Sequence, residues 1–187
     1  MQITYYTYAQ SPIGPLLLAG DESGLRRIGF PEGKNPPQPA PDWRPDAQCL
    51  RYVVEQLDAY FAGSLRDFDL PLQMQGTPFK LSVWKALRDI PYGETISYAE
   101  LARRVGKPKG PRAVGSANGA NPIPIVVPCH RVITSDGKLG GFGGGLKTKE
   151  TLLALERNGA LIADSTVSAP PTRRISWQPR KMNASMP

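Results

Sequence analysis

The sequence predicts an α+β protein in which a small antiparallel β-sheet with one helix precedes a mostly helical unit containing a helix-turn-helix. Three observations support this fold class. Short β-rich segments separated by turn residues fill the first 30 residues. Apolar residues then recur at helical spacing, and short capped helical patterns begin at Thr77. We expect three parts: an N-terminal α/β domain (1–76), a C-terminal domain (77–160) and a basic, disordered tail (161–187).

The N-terminal domain is expected to begin with an antiparallel meander. Three β-rich segments are separated by two turn sequences, and these strands are predicted at residues 2–8, 16–19 and 25–30. Six prolines between residues 31 and 45 predict an irregular surface loop.

One helix and one further strand are predicted to complete this domain. The apolar period predicts a helix from 47 to 61, with Gly63 as its end. Its apolar face consists of Leu50, Val53, Val54, Leu57 and Phe61. Residues 65–72 are expected to add a strand. We find no candidate catalytic residue in this domain.

The second domain is predicted to start with a capped helix and to continue with a helix-turn-helix. Thr77 precedes Pro78, which suits an N-cap followed by proline at the first helical position. Residues 97–100 fit a capping box, and a basic loop at 106–110 leads to a short helix opened by Pro111 and Arg112.

The helix after Arg112 is unusual for a reader of DNA bases. Its next residues include Ala113, Gly115 and Ser116, so it has almost no long polar side chains to contact base edges. Small residues allow a helix to approach a backbone or a narrow groove closely. They equally suit close helix packing inside the protein, and the letters alone leave both possibilities open.

The charge is distributed unevenly along the chain. Residues 1–78 contain six Lys/Arg and nine Asp/Glu, whereas residues 79–159 contain thirteen and six. A polyanion is therefore the expected partner of the second part only, unless this is merely a solvated basic face. Two cysteines are too few for a disulfide framework and favour a reducing compartment. One His and two Cys cannot fill the four positions of a tetrahedral zinc site without carboxylates, so no zinc site is expected. The sequence has no apolar run long enough for a membrane span.

One short segment contains the residues best suited to catalysis, because it holds the only histidine and one of the two cysteines. This segment is Pro128-Cys129-His130-Arg131-Val132. A nucleophilic cysteine must become a thiolate, which a base or a positive field promotes. Adjacent side chains do not face each other on a helix or strand, so His130 would reach Cys129 through water unless the segment is a tight turn. A cysteine among apolar residues can equally be a buried hydrophobe.

Two features follow this sequence. Residues 139–145 contain five glycines, which permit a tight loop whose backbone N–H groups can face a ligand. A helix is predicted from 146 to 157, with Gly159 as its stop, and it carries Glu156, 27 residues after Cys129. Alone, Glu156 would be read as a surface residue.

Together, residues 77–159 resemble the O6-alkylguanine-DNA alkyltransferases, also called methylated-DNA–protein-cysteine methyltransferases. The resemblance implies a ribonuclease H-like N-terminal domain and a C-terminal domain that binds DNA and accepts the alkyl group. It implies a DNA repair enzyme that flips O6-alkylguanine, and O4-alkylthymine, out of duplex DNA. The alkyl group would pass irreversibly to Cys129 in one turnover. No cofactor, no metal and no membrane are expected, and the protein would be a cytoplasmic monomer acting on the nucleoid, or nuclear in a eukaryote.

The resemblance also assigns roles to individual residues. Cys129 would be the nucleophile and alkyl acceptor, with His130 relaying a proton through water and Glu156 orienting it. Tyr98 would lie near guanine N3, and Asn121 would hold the turn before the Cys segment. Arg112 would replace the flipped base. The other expected DNA contacts are Ala113, Gly115, Ser116, Tyr98 and Arg131. The alkylguanine pocket would be formed by Phe142, Gly143, Val132 and Tyr98.

This chain departs from the family pattern in its glycine loop. The family often has Tyr then Ser where this chain has Phe142-Gly143, which leaves the substrate range open. The zinc ligands of some animal members have no counterpart here. Three rivals remain: a cysteine hydrolase using Cys129, His130 and either Asn121 or Glu156, a non-enzymatic sensor of alkylated bases, and a helix-turn-helix regulator.

Overall fold

The computed structural model describes residues 3–30 and 38–159, and the predicted α+β class is confirmed. A four-stranded sheet has the order β3-β2-β1-β4, where β1, β2 and β3 form the expected antiparallel meander and β4 pairs with β1 in parallel. These strands are Tyr5–Ala9 (β1), Leu16–Asp21 (β2), Gly24–Gly29 (β3) and Arg44–Pro45 (β4). All six residues of β2 are buried, as expected for an inner strand.

Five helices and a second, two-stranded sheet make up the rest. The helices are Arg51–Phe61 (α1), Pro78–Arg88 (α2), Tyr98–Arg104 (α3), Pro111–Gly119 (α4) and Leu146–Asn158 (α5). The short parallel strands are Ile96–Ser97 (β5) and Val132–Ile133 (β6).

Both predicted N-cap residues of the second unit cap their helices, although the Glu100 carboxylate of the predicted capping box pairs with Arg103 and Arg104. The Thr77 side chain accepts a hydrogen bond from Lys80 N, and the Ser97 side chain accepts one from Glu100 N. These caps satisfy N–H groups that have no partner inside a helix, which explains why α2 and α3 begin where they do.

One continuous hydrophobic core runs through both units, from Ala9 in β1 to Leu155 in α5. Backbone and side-chain bonds reinforce it: Ile28 N of β3 donates to Pro122 O over 3.0 Å. Likewise, Trp84 Nε1 of α2 donates to Ala117 O of α4 over 2.8 Å. The domain boundary expected at 76/77 stays a prediction.

Two expectations about the first unit are wrong in detail. Residues 65–72 do not form a strand; only Leu72 forms an isolated bridge, to Leu25, because Gln56 of α1 bonds both backbone groups of Asp69 and holds this segment against the helix. Residues 47–50 do not belong to α1, since the Asp46 carboxylate accepts from two backbone N–H groups there and forms a turn.

Some expectations fall on residues that the structure does not describe. The predicted tail at 161–187 lies outside the described residues, as does the first part of the proline-rich loop. Within residues 3–30 and 38–159, no helix is long and apolar enough to cross a membrane.

Candidate active site

Cys129 opens a short 3₁₀ turn, Cys129–Arg131, which leads into β6. Arg131 N donates to Pro128 O over 3.0 Å, so the segment is a tight turn, but the turn does not bring His130 Nδ1 into a hydrogen bond with Cys129. Just before it, Ile125 has a φ of 76°, a left-handed conformation that β-branched residues rarely adopt. The chain therefore bends sharply ahead of the cysteine, and only 5% of Cys129 is exposed.

Two asparagines hold the backbone around this turn. Asn121 Nδ2 donates to Val127 O over 2.7 Å, and its Oδ1 accepts from Ile123 N at 3.0 Å. Asn118, from α4, donates through Nδ2 to Cys129 O at 3.3 Å. Asn121 therefore joins the two ends of the segment that precedes Cys129, and Asn118 links the turn directly to α4.

Glu156 lies at the centre of a buried hydrogen-bond network. Its Oε1 accepts from His130 Nε2 (2.8 Å), Tyr60 Oη (2.8 Å) and Arg131 Nη2 (3.0 Å). Its Oε2 accepts from Gly93 N (3.0 Å) and Arg131 Nε (2.9 Å). Five donors on one carboxylate satisfy nearly all its lone pairs, so this buried charge is fully compensated.

The surroundings of Glu156 favour its charged form. Burial alone would raise the pKa of this carboxyl, but hydrogen bonds and charges from His130 and Arg131 outweigh it and lower the pKa to about 2. Burial lowers the pKa of His130, although the hydrogen bond and the charge of Glu156 oppose that shift. At neutral pH the pair is therefore a carboxylate and a neutral imidazole.

The tautomer of His130 follows from its partner. An ionised carboxylate only accepts hydrogen bonds, so Nε2 must carry the ring proton, and Nδ1 keeps its lone pair. Nδ1 is buried and has no hydrogen-bond partner among the described residues. A buried, unpaired imidazole nitrogen is a suitable proton acceptor.

The Cys129 thiol is neutral in the free protein. Burial raises its pKa to about 11, although a hydrogen bond from Asn121 and the charge of Lys149 act in the opposite direction. Lys149 is itself fully buried, and its Nζ donates to Val132 O (2.6 Å) and to Leu139 O. Burial lowers the Lys149 pKa to about 8, which still leaves it mostly charged at neutral pH.

Arg131 does not occupy the DNA-contacting place expected for it. Only 6% of it is exposed, and its guanidinium donates to both oxygens of Glu156 and to Ile90 O over 2.6 Å. It also lies over the ring of Tyr92. Its donors are used to stabilise the buried carboxylate, so we assign it to the network and not to DNA.

Tyr98 lies between α4 and the glycine loop. A side chain at Gly115 would be 3.7 Å from its ring, and one at Gly140 would be 3.1 Å from it. Gly140 also has a φ of 67°, so both space and conformation require glycine there. Burial raises the pKa of the Tyr98 hydroxyl, as does the nearby Cys129, while a hydrogen bond from Asn118 lowers it.

An open cleft of about 510 Å³ has Cys129 in its wall. Phe142 and Gly143, two of the expected pocket residues, also line it. Val132 and Tyr98 are not among the described lining residues, and Val132 is fully buried in the core. Among the described residues, no group of three or more His, Cys, Asp and Glu could hold a metal ion.

Helix α4 packs one face inward and leaves the other exposed. Val114, Ala117 and Asn118 are buried. Arg112, Ala113 and Ser116 are exposed, and Gly115 is half-buried. Close internal packing therefore explains only the inner face. The exposed face combines small residues with one arginine at its N-terminal end.

Three residues of the site were missed at the sequence level: Tyr60 and Gly93, which donate to Glu156, and Lys149, whose charge lies near Cys129. Tyr60 lies 96 residues from Glu156, and nothing local marks it or Gly93. Lys149 did leave a signal, since it shares the helical face of Leu152 and Glu156, and a charged residue on an apolar face indicates a buried partner.

Comparisons with known proteins agree with this geometry. The family model described as the DNA binding domain of 6-O-methylguanine DNA methyltransferase matches residues 78–158. The ribonuclease-like domain of the same family matches residues 4–74. The methylated-DNA–protein-cysteine methyltransferase of Methanosarcina barkeri is 54% identical over 154 residues, which cover 82% of this chain and 98% of the relative.

Two solved structures are also similar to this chain. The OGT of Mycobacterium tuberculosis, crystallised in complex with DNA, has a TM-score of 0.79 at 51% identity and covers 83% of this chain and 94% of its own. The O6-methylguanine-DNA methyltransferase of Pyrococcus kodakaraensis has a TM-score of 0.57 at 25% identity, and the match covers 82% of this chain and 99% of that protein.

Proposed function

Because this chain belongs to the 6-O-methylguanine DNA methyltransferase family, we propose that it repairs DNA by moving the alkyl group of O6-alkylguanine onto Cys129. One observation carries the proposal. Cys129 lines an open cleft, while the adjacent His130 contacts the buried, ionised Glu156 on the other side of the turn. The arrangement pairs a reachable nucleophile with an oriented base, as thiol chemistry requires.

The proton on the thiol has to leave before attack. With a pKa of about 11, only about one Cys129 in ten thousand is ionised at pH 7. We assign proton acceptance to His130 Nδ1, through a bridging water, and stabilisation of the resulting imidazolium to Glu156. The charge of Lys149 lies near the developing thiolate and favours it.

The thiolate then attacks the alkyl carbon in line with O6. The sulfur–carbon bond forms as the carbon–O6 bond breaks, and the electron pair of that bond passes to guanine. The proton held by His130 balances this charge through the same water, while the Tyr98 hydroxyl stabilises the departing base near N3. The product at Cys129 is a thioether, which has no easy leaving group, so each molecule reacts once.

A base inside a duplex must first be flipped out, at a cost of a few kcal/mol. We assign the exposed face of α4 to the minor groove, where Ala113, Gly115 and Ser116 permit close approach. Arg112, the long side chain at the end of that face, would fill the vacated stack. Phosphate contacts from the basic second unit contribute the remaining affinity.

The partner is therefore double-stranded DNA bearing O6-alkylguanine, with O4-alkylthymine as a second substrate. The reaction itself calls for no cofactor, since Cys129 is the acceptor. We propose that the protein acts as a monomer and on the nucleoid of a reducing cytoplasm, or in the nucleus of a eukaryote.

Intact mass spectrometry after incubation with a duplex containing O6-methylguanine tests the reaction. We expect one methyl group per protein molecule, located on Cys129 by peptide mapping. Cys129→Ser should show no gain, whereas Cys49→Ser, which changes the other thiol, should react normally. A sensor would bind the duplex without any mass change, and a hydrolase would release products over many turnovers; either result contradicts the proposal.

The role of Arg112 is tested by comparing duplex DNA with the free base O6-benzylguanine, which needs no flipping. Arg112→Ala should slow transfer from the duplex severely and transfer from the free base little. The matched control is Arg103→Ala, which removes an exposed arginine of α3 that pairs with Glu100. Equal losses on both substrates would make Arg112 a structural residue. A uniform loss of duplex affinity, with a salt slope lower by about one, would make it a phosphate contact.

A further inference from the structure

The cleft at Cys129 extends well beyond the space that a methyl group needs. One wall belongs to the second unit, with Cys129 and Phe142, and the opposite wall belongs to the N-terminal unit, with Arg26 and Arg27 of β3 and Trp43. A volume of about 510 Å³ lies in the usual range for sites that hold drug-sized ligands. The cleft has to admit the flipped base as well as its methyl group, and the proposed transfer assigns no role to the far wall, that of the N-terminal unit.

The charged residues on that wall are all of one sign. Arg26 and Arg27 are the only charged residues among the described residues that line the cleft, although residues 1–78 as a whole carry more acidic than basic side chains. Arg26 is held by Asp21. Arg27 is exposed and forms no ion pair or side-chain hydrogen bond with a described residue. A cation facing a cleft without carboxylates favours an anionic ligand.

The cleft that Cys129 and Arg27 both line also offers room and aromatic surface. Side chains built at Gly141 and Gly143 would meet nothing within 4 Å, so the loop edge is open. Phe142 packs against Phe30 of the opposite wall with ring centroids 5.3 Å apart, and Trp43 is half-buried nearby. An aromatic or apolar group would be stabilised here by burial.

We propose that this cleft is a subsite for bulky O6 substituents that end in an anion, with the substituent body against the aromatic residues and its carboxylate on Arg27. The inference rests on the proposed alkyl transfer and adds a substrate class to it. The chemistry is unchanged: the benzylic or alkyl carbon forms its bond to the sulfur of Cys129, its bond to O6 breaks, and the anion stays on the transferred group.

An anion at Arg27 has two possible sources, the O6 substituent or a DNA phosphate. Free bases separate them, because they carry no phosphate. The experiment compares O6-(4-carboxybenzyl)guanine, O6-(4-aminomethylbenzyl)guanine and O6-benzylguanine as free bases, with the rate of Cys129 alkylation followed by intact mass. Variants are Arg27→Ala, Arg27→Glu and Arg27→Lys, and Arg51→Ala is the matched control because Arg51 is exposed on α1 and pairs with Glu55.

For the wild type we expect the carboxylate to react roughly three- to tenfold faster than the amine, as an ion pair of this exposure allows. Arg27→Ala should bring that ratio to about one, Arg27→Glu should invert it, and Arg27→Lys should keep part of it. Arg51→Ala should keep all of it. Thermal melts confirm that each variant is folded.

One outcome overturns the subsite, and a second measurement then says what Arg27 does instead. An unchanged carboxylate-to-amine ratio in Arg27→Ala and Arg27→Glu removes Arg27 from substrate recognition. If, in addition, Arg27→Ala weakens binding to undamaged duplex and lowers the salt slope by about one, the arginine is a phosphate contact. Failure of the proposed function is distinguishable, since the wild type would then be alkylated neither by any free base nor by O6-methylguanine duplex.

Discussion

The two sides of Cys129 are built in opposite ways. On the inner side, Glu156 is buried and accepts five hydrogen bonds from four residues on three different segments of the chain. On the outer side, the cleft is edged by glycines with open space around them. The inner side must present one fixed geometry, because proton transfer depends on tenths of an ångström, whereas the outer side must admit substituents of different shapes.

The largest effect should come from the inner side. His130→Ala or Glu156→Gln should each slow alkyl transfer by roughly a hundred- to a thousandfold, since each removes general-base activation. The double variant should be little slower than either single one, as for residues that act as a unit. Single-turnover rates on O6-methylguanine duplex measure this. Fully additive losses would show two separate contributions and break the idea of one relay.

Acid should remove stability that the inner side contributes. The folded pKa of Glu156, about 2, lies below the ordinary value of 4.5, so its contribution is complete above pH 4.5 and is lost as pH falls towards 2. The difference corresponds to about 3 kcal/mol. Urea melts should therefore show the stability gap between wild type and Glu156→Gln narrowing from pH 5 to pH 2. A gap independent of pH would mean that the carboxylate charge contributes nothing.

A smaller effect should follow from removing one hydroxyl. Tyr60→Phe deletes a donor to Glu156, so the carboxylate stabilises the His130 imidazolium more strongly and the histidine pKa rises. We expect the acid limb of the pH–rate profile to move to higher pH, so that transfer is roughly three- to tenfold slower below that limb and no slower above it, where the stronger base is deprotonated. Tyr92→Phe is the matched control, because the Tyr92 hydroxyl is buried without a hydrogen-bond partner among the described residues. The same change in both variants would indicate packing, not hydrogen bonding.

The smallest effect should come from the outer side. Gly143→Ser adds a side chain where nothing lies within 4 Å, and its backbone is not left-handed. The free energy of unfolding should change by less than about 0.5 kcal/mol. By contrast, a side chain at Gly144 would lie 2.7 Å from the Phe30 ring, so Gly144→Ala should destabilise measurably. Chemical denaturation of both variants checks this, and equal losses would show that the loop edge is not open.

Local sequence signals predicted the helices, the caps and the meander well, because caps such as Thr77 and Ser97 act within one turn of chain. They failed where tertiary contacts decide. A strand was expected at residues 65–72, yet the Gln56 side chain takes the hydrogen bonds of Asp69 that a sheet would need.

In the candidate site, too, local patterns identified some residues, and tertiary contacts determine the others. Cys129, His130 and Glu156 were identified from motif and spacing, and the structure brings the last two into contact. Arg131 was expected to contact DNA, and only the fold reveals that it donates hydrogen bonds to Glu156 instead. Tyr60 could not be found, since 96 residues separate it from its partner.

The DNA contact that we propose for the exposed face of α4 would have a consequence for how the protein finds its target. A face of small residues carries almost no donors or acceptors for base edges, so binding energy is nearly the same at every sequence. Recognition is then postponed until a base enters the Cys129 cleft. Such a protein would scan DNA without a sequence preference. The time that it spends at any site would depend on how easily the base at that site leaves the stack.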